Sequence, residues 1–102
     1  MDAMLKARWC AALRSGEYKQ DTGKLKTPEG WCCLGVLADV TGYIVIGNNI
    51  MVDGVSTGYQ PLDKLTGVSD LSDIWECNDG TGRFADLKHT FDKIADYIEE
   101  TL

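Results

Sequence analysis

Trp31-Cys32-Cys33-Leu34-Gly35-Val36-Leu37-Ala38-Asp39-Val40-Thr41-Gly42 is the most apolar stretch of the sequence, and its reading decides the fold. Periodicity alone leaves two options, a buried strand or a buried helix. Cys33, Val36, Leu37 and Val40 fit one helical face, the stretch spans about three turns, and Gly42 can end it. It reads as a central helix. Gly35 in its middle costs about 1 kcal/mol against alanine, which predicts another element packed closely there. The run is far shorter than the roughly 20 apolar residues of a membrane span, so no membrane partner is expected.

Working outward toward the N-terminus, residues 2–15 read as a helix. Leu5, Trp9, Ala12 and Leu13 form its apolar stripe, and Gly16 stops it. In residues 17–26, Asp21-Thr22-Gly23 suits a tight turn between two short strands, and Thr27-Pro28-Glu29-Gly30 suits a second turn. Toward the C-terminus, Tyr43 to Gly54 is the clearest hairpin signal, two β-branched runs flanking Gly47-Asn48-Asn49. Pro61 opens a short helix through Leu65, closed by Gly67. Ser69 caps a helix from Asp70 to about Cys77, with Leu71, Ile74 and Trp75 inward. Asn78-Asp79-Gly80-Thr81-Gly82 breaks it, and Thr90 caps a last helix whose stripe is Phe91, Ile94, Ala95, Ile98 and Leu102. The expected fold is α+β, a single small domain over residues 1–102 with helices packed around two short β-hairpins.

Composition supports one globular domain: of 102 residues, 44% are apolar and 25% charged, which excludes disorder and low complexity. The net charge of -6 and pI near 4.5 argue against direct nucleic-acid binding. Residues 1–30 hold six basic against four acidic residues, net +2, and the remainder four against twelve, net -8. Such asymmetry suits contact between a basic patch and an acidic face, on a partner or on a second copy in a homo-oligomer. The N-terminus carries charges throughout and is not read as a signal peptide, so a cytoplasmic protein is expected.

Cys10, Cys32, Cys33 and Cys77 form no C-x-x-C pair, and His89 is the single histidine, so neither a metal nor another cofactor is expected. The cysteines read as reduced structural residues. A catalytic triad lacks a suitable base, and Gly16 to Lys24 departs from the spacing of a phosphate loop. Two constellations remain. Asp70, Asp73 and Glu76, and Asp92, Asp96 and Glu99, make acidic rows at helical spacing; ordered carboxylates on a rigid helix can meet a basic protein surface. Alternatively, Arg14, Tyr18, Lys24 and Trp31 could line a pocket for a nucleotide-like small molecule. The ordinary readings are solvated charges and core aromatics.

The strings Trp9-x2-Ala12-Leu13-Arg14-Ser15-Gly16-x-Tyr18-x-Gln20-x2-Gly23-x-Leu25, Cys32-Cys33-Leu34-Gly35-Val36-Leu37, Asn78-Asp79 and Phe91-x2-Ile94-Ala95-Asp96-Tyr97-Ile98 resemble a group of small phage and prophage proteins. The resemblance implies a phage accessory protein in a bacterial host cytoplasm, acting on a host protein by stoichiometric binding. In that context the expected role is inhibition of a host defence system, anti-CRISPR-like or related, and the single histidine and missing catalytic motifs argue against an enzyme. The alternatives are a protein that sequesters a nucleotide-type immune signal and a small enzyme of unknown activity.

Overall fold

The computed structural model of the chain describes residues 1–67, Ile74, Asn78 and 90–102. Helix α1 (Ala3–Arg14) starts at Asp2, whose carboxylate accepts the Leu5 N–H at 2.8 Å. An irregular segment follows, and then α2 (Cys33–Val40). The apolar stretch is therefore a helix. The Cys32 thiol caps it, accepting the Gly35 N–H at 3.4 Å, and its residues Cys33 to Ala38 are all buried. Gly35 is pressed against the preceding segment, where a Cβ would overlap the Leu25 carbonyl oxygen. That is the close approach its position predicts.

Strands β1 (Ile44–Ile46), β2 (Asn49–Val52) and β3 (Val55–Ser56) form an antiparallel sheet in the order β1-β2-β3. The β1–β2 loop is two residues, Gly47 and Asn48, between paired Ile46 and Asn49. The β2–β3 turn places both Asp53 (φ 53°) and Gly54 (φ 79°) in the left-handed region, as a type I′ turn requires. This third strand goes beyond the single hairpin expected at residues 43–54. Helix α3 (Gln60–Thr66) carries Pro61 in its first turn and ends at left-handed Gly67. Helix α4 (Phe91–Thr101) is capped by Thr90 and buries Phe91, Ile94, Ala95 and Ile98, matching its apolar stripe.

The molecule is one α+β domain, but the hairpin expected within residues 17–26 takes another form. Two isolated bridges, Gln20 with Trp31 in parallel and Lys26 with Trp31 antiparallel, stand in its place. Trp31 donates its N–H to Lys19 O at 2.8 Å and accepts the Asp21 N–H at 2.8 Å. The segment thus pairs with the lead-in to α2, and its two arms are not zipped to each other.

The core is built from α1, α2 and α4 and extends to the sheet through Val45 and Ile50. Trp9 is fully buried and donates its indole N–H to Cys33 O at 2.9 Å. Arg8 reaches Val40 O at 2.6 Å, at the end of α2 where backbone carbonyls lack helical partners. Among the described residues, Cys10, Cys32 and Cys33 are buried and form no disulfide. The Cys10 thiol donates to Ala95 O across the α1–α4 contact, and burial pushes its pKa up. The helix expected at Asp70 to Cys77 lies outside the described residues except for Ile74, which is helical and buried. Asn78, expected at the break after that helix, is itself helical. Cys77 and His89 lie outside the described residues too.

Candidate functional site

Asp92, Asp96 and Glu99 are exposed on α4, away from its buried stripe. Asp70, Asp73 and Glu76 lie outside the described residues. The α4 row is not an isolated anionic surface. Arg14, the last residue of α1, donates from Nη2 to Asp96 at 2.7 Å and from Nη1 to Glu99 at 2.5 Å. Lys6, also on α1, donates to the Glu99 backbone oxygen at 3.0 Å. The hydrogen bonds to Glu99 and Asp96 raise the Arg14 pKa above its ordinary value, and the bond from Arg14 lowers that of Glu99. Part of the charge asymmetry along the sequence is thus satisfied within one molecule, because α1–α4 packing brings basic and acidic segments together.

The alternative set of Arg14, Tyr18, Lys24 and Trp31 is divided among three places. Arg14 pairs with α4. Tyr18 and Trp31 do meet, edge to face, with ring centroids 5.5 Å apart. The Tyr18 hydroxyl donates to Asp39 on α2 at 2.5 Å, and burial together with this bond pushes its pKa up to about 12. Lys26 Nζ lies 4.6 Å from the Trp31 ring centroid, a cation–π distance. Tyr18 and Lys26 therefore already take up part of the indole surface that a stacking base would need. Lys24 lines a different feature, an open groove of about 330 Å³ beside β1, shared with Lys26, Thr27, Pro28, Val45, Ile46 and Gly47.

A third constellation shows in the sequence only as scattered letters. The Gln20 side-chain amide donates to Asn78 Oδ1 at 3.1 Å, while its oxygen accepts the Phe91 N–H at 3.1 Å. Asn78 is fully buried and donates to Asp21 O at 2.9 Å. These contacts join the 17–31 segment to the start of α4, so Gln20 and Asn78 act as structural ties. Among the described residues, every buried side-chain nitrogen or oxygen has a hydrogen-bond partner. No group of three or more His, Cys, Asp and Glu among them is placed to hold a metal ion.

A family model described as a domain of unknown function, DUF8296, matches residues 1–53 of the 102. The chain belongs to the DUF8296 family. The DUF8296 match takes in α1, the bridged segment, α2, β1 and β2. It therefore includes Arg14, Gln20 and the β1 groove, while the side-chain partners of Arg14 and Gln20 lie beyond it. No curated protein and no solved structure matches the chain. No helix among the described residues is long and apolar enough to cross a membrane.

Proposed function

We propose that the protein works by stoichiometric, non-enzymatic binding to another protein. In the phage setting that its sequence resembles, the partner is a bacterial host protein and the outcome is inhibition of a host defence, in an anti-CRISPR-like or related role. The observation that carries the reading is the outer face of the sheet. Ile44 and Ile46 share one face of β1 and are 65% and 61% exposed. Met51, the cross-strand partner of Ile44, adds a partly exposed side chain to the same face. Single exposed apolar residues are ordinary, but a contiguous group on a strand pair suits a protein contact.

The acidic row of α4 supports the same reading less strongly, since Asp96 and Glu99 are engaged by Arg14. Sequestration of a nucleotide has less support, since Arg14 is engaged there and Tyr18, Lys26 and Trp31 pack on one another. The test is a titration of purified protein against the host defence it suppresses. Suppression should saturate at a fixed ratio to the host target. Suppression persisting at trace amounts, or a nucleotide found in purified protein by mass spectrometry, would overturn the reading.

A further inference from the structure

We propose that the free edge of β1, with Lys24 and Lys26 beside it, docks an extended acidic segment of a partner protein. This rests on the protein-binding reading above and supplies the chemistry of the contact.

The backbone register carries the argument. In antiparallel pairing, successive residues turn their N–H and C=O groups alternately toward the two edges of a strand. Ile50 turns its groups toward β3: its C=O accepts the Thr57 N–H at 2.9 Å and its N–H donates to Gly58 O at 3.3 Å. Val45, paired with Ile50 across β1–β2, then belongs to a non-hydrogen-bonded pair, and its N–H and C=O face away from β2. Among the described residues, the sheet order β1-β2-β3 leaves no further strand on that side. An incoming strand residue opposite Val45 could accept its N–H and donate to its C=O, the main-chain pairing of strand addition.

The surroundings select the segment's character. Lys24 and Lys26 line the groove with Pro28, Val45, Ile46 and Gly47, and no carboxylate among the described residues lines it. Lys24, Lys26, Pro28 and Ile46 are exposed or partly exposed. The Lys26 N–H donates to Gly47 O at 2.9 Å, which fixes the lysine-bearing segment beside the turn. The backbone edge provides directional pairing, Ile46 and Pro28 an apolar footing, and the lysines a preference for carboxylates. The matching occupant is an extended segment of alternating apolar and acidic residues.

The test uses the full chain, labelled with nitrogen-15, and a synthetic peptide alternating valine and glutamate. Binding should shift the Val45 and Gly47 amides and slow solvent exchange of the Val45 N–H. Methylating alternate backbone nitrogens of the peptide should weaken binding at least roughly tenfold, and so should exchanging its glutamates for lysines. Lys24→Glu should have a similar effect with an unchanged melting temperature. An unmoved Val45 amide, or equal binding of the methylated peptide, would overturn the proposal. The two readings separate in pull-downs from the host. If Lys24→Glu captures the wild-type partner undiminished, the edge proposal falls and protein binding stands. If wild type captures no partner but the peptide docks at Val45, the edge stands and the host-binding reading falls.

Discussion

Arg14 and Asp96 are 82 positions apart in the chain, and their side chains meet at 2.7 Å. The same guanidinium holds Glu99, so one arginine ties the end of α1 to the outer row of α4. Arg14→Glu should lower the melting temperature modestly, because it removes both pairs and adds a like charge. The deficit should shrink in high salt, where screening lengths fall to about 3 Å at 1 M. It should also shrink in acid. Glu99 has a depressed folded-state pKa, so its contribution is present above the ordinary glutamate pKa and is lost as pH falls through the folded value. Thermal melts of both proteins across salt and acid pH check this.

Gly35→Ala tests the close approach to Leu25. In an open helix, alanine would stabilise by about 1 kcal/mol. Here the added methyl would overlap the Leu25 carbonyl oxygen, so a net loss of about 1–3 kcal/mol is expected. Denaturant midpoints decide the sign.

Asn78→Ala should destabilise by about 1–3 kcal/mol, the range for leaving buried polar groups without their partner. It removes the bonds to Gln20 and Asp21. Amide exchange should quicken at Phe91, whose N–H is held by Gln20.

Tyr18 supplies an alkaline signature. Its folded-state pKa is raised to about 12, so its contribution to stability is intact below the ordinary tyrosine pKa near 10. That contribution is lost as pH rises through about 12. Phenolate absorbance should show a late step from Tyr18, and Tyr18→Phe should remove that step.

Asp92→Lys probes the acidic row without touching the Arg14 pairs. Asp92 is exposed but lies in the first turn of α4, where reversing its charge loses about 0.3–1 kcal/mol of helix-dipole stabilisation, so the melting temperature should fall only slightly. If α4 is the partner contact, affinity should fall; unchanged affinity would assign the contact elsewhere.

Much of the fold is legible in local patterns. The spacing of Phe91, Ile94, Ala95 and Ile98 marks the buried face of α4, and Thr90 its cap. Gly35 signals a close approach, although nothing local points to Leu25 as the neighbour. The third strand escapes the sequence reading although Asp53-Gly54 between two valines carries the type I′ signal. At Asp21-Thr22-Gly23 the local turn chemistry is overridden by Trp31, which bridges to both Gln20 and Lys26. The site residues are harder. Arg14 and Lys24 are both basic and lie in the same third of the sequence, but their destinations depend on packing against distant elements, to which spacing is blind.

The pairing of α1 with α4 also bears on how the chain acquires its shape during synthesis. Cys10 meets Ala95 and Arg14 meets Glu99, contacts that each span 85 positions. At about 5–20 residues per second, the first helix leaves the ribosome seconds before its counterpart exists. Cys10 must remain without that cover for the interval, which makes nascent chains halted before residue 91 a natural target for chaperones and proteases.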